Sequence, residues 1–256
     1  MRPRLRFILL GLAAFLIALL VVFPAAWIKS FLPAQVRCAS LAGSIWRGQC
    51  NDLALAQPGK PALRLDSVNW RLRPLALLQA RLRADVAVTG ANLAARGELT
   101  LRSGGRMHVE SLDGSLALDH ARLAALPAGW TTQAEARDLS MDVADGRITA
   151  VGGALLARQL RDSRGTAFGD FRLQFPRQEA PPFRGTLSDE AAAVGAARGP
   201  LQLQSQLTVN ADMSWQLKGT VMLRPGSPPQ LGSALDQLAP VDLNGVRSFS
   251  LEGTAD

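Results

Sequence analysis

The sequence predicts a mainly β protein, in which antiparallel strands follow one another as a meander in one or more curved sheets with a few short helices. One N-terminal transmembrane helix is predicted ahead of the strands. Two observations carry the β prediction: apolar and polar residues alternate in many segments, and glycine-containing turn signals separate those segments. A third observation, an uncharged apolar run near the N-terminus, predicts the membrane helix.

The apolar run covers residues 7–28 and follows Arg2, Arg4 and Arg6. A helix over this run reaches roughly 33 Å, which is enough to cross the hydrocarbon core of a bilayer. Because a positive flank stays in the cytoplasm, we expect a cytoplasmic tail at 1–6, an anchor at 7–28 and an exported β-rich domain at 29–256. A cleaved signal peptide is the alternative, and the length of the run favours the anchor.

Alternation is clearest in the second half of the chain. In residues 201–209 leucines alternate with glutamines, and residues 214–223 show the same period of two. This pattern is typical of antiparallel strands with one buried face. Asp-Gly pairs at 113–114 and 145–146 predict tight hairpin turns, so neighbouring strands are expected to follow each other without long crossovers.

Helical segments are few and short. Residues 74–82 begin with a proline suited to a first helical turn, and residues 119–126 and 231–240 each stop at a proline boundary. The stretch at 176–200 contains several prolines and has no sustained apolar face. We therefore expect a boundary there, with possible lobes at 38–175 and 183–256.

Cys38 and Cys50 are the only cysteines of the chain. Zinc sites usually need four ligands, and redox pairs are more often separated by two residues. An exported domain lies in an oxidising compartment, where paired cysteines usually form a disulfide. We therefore expect a structural disulfide between Cys38 and Cys50, with their Cα atoms within about 7 Å of each other.

The sequence carries no motif that predicts catalysis. His108 falls in a predicted strand and His120 at a predicted helix start, and neither has a neighbouring pattern of metal ligands. The net charge of +7 permits binding to acidic lipids, acidic proteins or nucleic acid, but export and the few aromatic residues argue against nucleic acid. These features predict a binding or assembly protein without a metal or cofactor, not an enzyme.

Three short elements, in this order after the apolar run, resemble those of the type II secretion system protein N family. The first is a glycine-framed tryptophan and the second is a tryptophan followed by proline and leucines; the third is a closing stretch in which an aspartate and a glycine lead into a last strand. The first element contains Gly43, Ser44, Ile45, Trp46, Arg47 and Gly48; the second contains Trp70, Leu72, Pro74, Leu77 and Leu78; the third contains Asp242, Gly245, Leu251 and Gly253.

The resemblance implies an accessory part of the machine that exports folded proteins across the outer membrane of bacteria. It implies an inner-membrane location with the bulk in the periplasm, and contacts with other inner-membrane components or with the outer-membrane secretin. Possible interaction residues are Gly43, Trp46, Gly48, Trp70 and Pro74, with Trp46 either presenting a binding surface or filling the base of the sheet. The family also resembles AsmA-like proteins, which implies the alternative of a periplasmic lipid-binding or lipid-bridging module. An envelope hydrolase is a third alternative, which needs a nucleophile and a base in contact.

Overall fold

The computed structural model describes residue 11 and residues 23–26, 35–57, 60–119, 128–189 and 199–254. The chain divides into two compact units, Met1–Ala91 and Asn92–Asp256. The described residues of the first unit contain four strands: β1 Val36–Gly43, β2 Arg47–Gln57, β3 Lys60–Leu72 and β4 Arg81–Gly90. Those of the second contain nine: β5 Leu93–Arg102, β6 Arg106–Asp119, β7 Thr131–Ala144, β8 Arg147–Arg161, β9 Ala167–Gln178, β10 Phe183–Asp189, β11 Leu201–Val209, β12 Ser214–Leu223 and β13 Val246–Thr254.

Within each unit every strand pairs antiparallel with the next strand along the chain. The predicted antiparallel meander is therefore confirmed. The alternating residues at 201–223 form two paired strands, as expected. Leu203 pairs with Val221 and Leu207 pairs with Leu217 on one face of β11 and β12. Directly opposed side chains of this kind are the main source of stability in an antiparallel sheet.

Two predicted helices lie close to observed ones. A 3-10 helix covers Pro74–Gln79, and it is shorter than the predicted 74–82 because β4 begins at Arg81. Helix α1 covers Pro229–Leu238, near the predicted 231–240. The predicted helix at 119–126 lies outside the described residues from residue 120 onwards.

One of the two predicted Asp-Gly hairpins is wrong. Asp145 and Gly146 connect β7 and β8 with φ angles of 51° and 73°, as a two-residue hairpin requires. Gly114 instead lies inside β6, next to a shift in its pairing with β7. A Cβ atom on Gly114 would lie 2.8 Å from the Ala94 carbonyl oxygen on β5, so a glycine is required by close packing of strands and not by a turn.

The second unit has the larger set of buried side chains. Leu156 on β8 is only 2% exposed, and the buried aromatic residues around this part of the chain are Phe168, Phe171, Phe175 and Phe183. The carboxylate of Asp170, also buried, accepts hydrogen bonds from the Arg158 guanidinium and from the Gln159 backbone N–H, each at 2.8 Å. These donors offset the desolvation of the buried charge.

The N-terminal prediction falls largely outside the described residues. Of the predicted anchor, the structure describes only residue 11 and residues 23–26, and within the described parts of the chain no helix is long and apolar enough to cross a membrane. Within this run Pro24 forms an antiparallel bridge with Ser44, and Ala25 and Ala26 lie in a 3-10 turn, so residues 23–26 are not α-helical as the span at 7–28 predicts. The rest of the span, the tail at 1–6 and the exported domain at 29–256 stay predictions. The lobes at 38–175 and 183–256 also stay a prediction, and the segment between them contains the connection from β9 to β10.

The predicted disulfide is confirmed. Cys38 on β1 and Cys50 on β2 are bonded, with their Cα atoms 5.9 Å apart. Both residues are buried, with Cys38 7% and Cys50 4% exposed. The bond links two neighbouring strands close to the turn that connects them, so it limits how far this hairpin can open in the unfolded chain.

We expect that replacing Cys38 and Cys50 together with alanine lowers the free energy of unfolding by about 3 kcal/mol, because the unfolded chain loses the constraint of a closed loop. Urea unfolding of the variant beside the oxidised wild type measures this difference. Reduction of the wild type should give a similar loss, and coincident curves for all three samples would contradict a stabilising disulfide.

Candidate interaction site beside the first hairpin

The turn between β1 and β2 is closed by hydrogen bonds between Ser44 and Arg47. The Ser44 N–H donates to the Arg47 carbonyl oxygen at 2.8 Å, and the Arg47 N–H donates to Ser44 Oγ at 3.2 Å. Gly43 enters the turn with φ +89°, and a Cβ atom at this position would lie 2.4 Å from the Arg47 carbonyl oxygen. Gly43 is therefore required by the turn itself.

Gly48 and Trp70 form the central contact of the site. The two residues lie directly opposite each other on β2 and β3, and the indole ring covers the glycine so closely that a Cβ atom would lie 2.1 Å from Trp70 Cζ2. Trp70 Nε1 donates to the Ile45 carbonyl oxygen at 3.0 Å. The two tryptophan-containing sequence elements are thus one structural unit, in which the second holds the turn formed by the first.

Trp46 lies in the same turn, and its carbonyl oxygen accepts a hydrogen bond from the Leu72 N–H at 2.7 Å. The Trp46 side chain is half-buried, and it lines a groove at the end of the unit. Whether Trp46 presents a binding surface or fills the base of the sheet stays a prediction.

Pro74 begins the 3-10 helix, and all residues of this helix line the groove. The helix follows Arg73, whose N–H donates to the Arg83 carbonyl oxygen at 2.9 Å and whose guanidinium pairs with Asp85 at 2.8 Å. None of the side chains of this helix is buried. Leu75 is 77% and Leu78 is 84% exposed, which is unusual for two leucines on one short helix.

The groove has a volume of about 1010 Å³ and combines apolar walls with a basic rim. Its lining includes Trp46, Leu72, Pro74, Leu75, Leu77 and Leu78 among apolar residues, and Arg47, Arg71, Arg73 and Arg83 among basic ones. Among the described residues no group of three histidines, cysteines or carboxylates could hold a metal ion. The chemistry of the groove is that of a binding surface for a ligand with an apolar part and a negative charge.

A second feature, which the sequence did not reveal, surrounds His108. His108 on β6 lies opposite Asp142 on β7, and its Nδ1 is hydrogen-bonded to the Asp142 carboxylate. Its Nε2 lies 3.7 Å from a carboxylate oxygen of Glu110. The ring borders a cavity of about 460 Å³ whose lining includes Arg106 and Arg177. His108 meets Asp142 because of the register between β6 and β7, both of which contain bulges. The alternation of apolar and polar residues does not predict this register.

The closing sequence element repeats the relation between glycine and tryptophan. Gly253 on β13 lies opposite Trp215 on β12, and a Cβ atom on the glycine would lie 2.7 Å from Trp215 Cζ2. Asp242 and Gly245 form the turn before β13: the Asp242 carboxylate accepts the Val246 N–H at 2.8 Å, and Gly245 has φ +80°. These residues therefore shape and pack the last strand.

The comparison with known families gives one result that covers most of the chain. The model of the family described as type II secretion system (T2SS), protein N, matches residues 34–250, which include twelve complete strands and part of β13. No curated protein and no solved structure matches the chain significantly.

Replacing Gly48 with alanine should lower the free energy of unfolding by about 1–3 kcal/mol, because the new methyl group displaces the Trp70 ring and its hydrogen bond to Ile45. Gly90→Ala is the matched control, since its Cβ atom meets nothing closer than 3.6 Å. The control should stay within about 0.5 kcal/mol of the wild type in urea unfolding. Equal losses in the two variants would contradict the packing role of Gly48.

Proposed function

Because the chain belongs to the type II secretion system protein N family, we propose that it is an accessory, non-catalytic part of the type II secretion machinery, anchored in the inner membrane. The family match over residues 34–250 carries this proposal. The match spans both units, so the assignment rests on nearly the whole β region and not on a short motif.

The residues of the three sequence elements that resemble the family have structural roles, and these roles support a binding function. Gly43, Gly245 and Asp242 shape turns, whereas Gly48 and Gly253 accommodate tryptophan rings. Such residues build a scaffold, and function on a scaffold of this kind lies in the surfaces that it presents.

Two observations support an exported domain on a membrane anchor. The disulfide between Cys38 and Cys50 suits an oxidising compartment such as the periplasm. The Ile45 N–H donates to the Phe23 carbonyl oxygen at 3.0 Å, so the end of the apolar run is held against the first hairpin. Together with the proposed anchor, this contact keeps the first unit close to the membrane.

We assign the protein–protein contact to the outer edge of β13. This strand is the last in its sheet and pairs with β12 on one side. On the other side, within the described part of the chain, Val241 and Asp242 contact only its first two residues, Arg247 and Val246. The backbone from Ser248 to Thr254 can therefore accept a strand from a periplasmic domain of another component.

The alternative of a lipid-binding module has one observation in its favour. Leu101, Met107, Val143 and Ile148 are successive cross-strand partners on β5–β8, so they form an apolar row on one face. Leu101 is 37% exposed and the other three are half-buried. A row of this kind can contact an acyl chain, and lipid that copurifies with the protein would favour this function.

A photoreactive residue in place of Ser250 on β13 should form an adduct with another secretion component in intact cells, because the edge strand is the proposed contact. The same residue in place of Asp145, in the exposed β7–β8 turn, is the control. Adducts are identified by mass.

Deletion of the gene should reduce export through this pathway. Normal export with altered envelope lipids would reject the secretion role and favour the lipid-binding alternative.

A reporter that is active only in the periplasm should be active when fused after Asp256, because Arg2, Arg4 and Arg6 hold the N-terminus in the cytoplasm. A reporter that is active only in the cytoplasm should be inactive at the same position. The reverse pattern would contradict the orientation, while a soluble, periplasmic fusion product would indicate a cleaved signal peptide.

A further inference from the structure

We propose that the groove beside the first hairpin docks on the surface of the membrane that holds the anchor, with its leucines among the acyl chains and its arginines on anionic phospholipid headgroups. This inference rests on the proposed anchoring at 7–28 and assigns the groove to lipid, not to a protein partner.

The exposed leucines provide the apolar part of the docking surface. Leu75 and Leu78 are 77% and 84% exposed on the 3-10 helix, and Leu77 is 46% exposed beside them. Trp46 lines the same groove. Leucine side chains enter the boundary between headgroups and acyl chains, and tryptophan is enriched at the same depth because its ring is amphipathic.

The rim provides the charge. Arg47 and Arg71 are both exposed and lie directly opposite each other on β2 and β3. Among the described residues neither guanidinium forms an ion pair, and the nearby Asp85 carboxylate binds Arg73. Two like charges in opposed positions repel each other, and an anion placed between them removes that repulsion. A phosphate group accepts hydrogen bonds from both guanidinium groups.

The position of the groove favours a bilayer over a peptide. The hydrogen bond between Ile45 and Phe23 attaches the groove-forming turn to the apolar run five residues before its end at residue 28. Trp46 follows Ile45 directly, so the groove lies beside the C-terminal part of the proposed anchor, which we place at the level of the lipid headgroups. At this level the local concentration of headgroups is high, and even weak contacts are occupied.

The test uses the full chain in vesicles, with a photoreactive residue in place of Leu78. The control has the same residue in place of Arg64, an exposed position on β3. Arg64 precedes Leu72 by eight residues, which corresponds to roughly 26 Å along the strand. The vesicles contain phosphatidylcholine alone or phosphatidylcholine with phosphatidylglycerol. We expect lipid adducts at position 78 to exceed those at position 64 by roughly fivefold or more in the anionic vesicles.

The contribution of the rim is measured with two pairs of substitutions of equal net charge. Arg47→Gln with Arg71→Gln removes the opposed arginines of the groove, and Arg37→Gln with Arg64→Gln removes two exposed arginines elsewhere in the first unit. For these variants the adduct yield at position 78 is normalised to that of the unsubstituted chain. Because each arginine near an anionic surface changes the binding equilibrium about fivefold, the first pair should lower the yield by at least that factor. The second pair should leave it unchanged.

The outcomes separate this inference from the proposed function. A protein that fails to float with the vesicles contradicts the anchor. A protein that floats but gives equal adducts at positions 78 and 64 overturns the docking surface and leaves the anchor intact. Equal adducts on neutral and anionic vesicles, or equal effects of the two arginine pairs, overturn the role of the rim. In intact cells, a protein adduct at position 78 without a lipid adduct overturns the choice of lipid as the occupant.

Discussion

The placement of Trp70 across Gly48 is the contact on which the rest of the first unit depends. The ring needs a surface without a side chain, and only glycine offers one at the opposed position of β2. Once seated, the ring fixes the Ile45 carbonyl and with it the turn. Because β3 ends two residues later, the same contact also fixes where the 3-10 helix begins at Pro74. The second unit contains the same packing arrangement, in which the Trp215 ring lies over Gly253.

The sequence predicted elements whose cause is local. Alternating residues define strands because every second side chain faces the same side, and Asp145–Gly146 defines a turn because its φ angles are positive. Contacts between distant residues were not accessible in this way. Gly48 and Trp70 belong to separate elements of the sequence, and their contact appears only when the register of β2 and β3 is known. Asp113–Gly114 has the sequence of a turn, and the sequence does not show how closely β5 approaches Gly114.

The candidate site was harder to predict than the fold for a related reason. A proline followed by three leucines within five residues is the usual pattern of a buried helix face, yet the helix here has no buried side chain. The exposure of these leucines depends on which other elements of the unit pack against the helix, and the sequence of the helix alone does not show this. The opposed arginines and the His108–Asp142 pair also depend on the register between neighbouring strands. Bulges change this register, and the periodicity of the sequence does not predict where they occur.

Pairing of each strand with the next one along the chain has a consequence for how the protein is made. A chain that enters a compartment from its N-terminus presents β1, then β2, then β3, and within each unit every new strand finds its partner already present. Only short loops have to close at each step, so the entropy lost per strand is small. Assembly can then advance hairpin by hairpin as the chain emerges, as in repeat proteins.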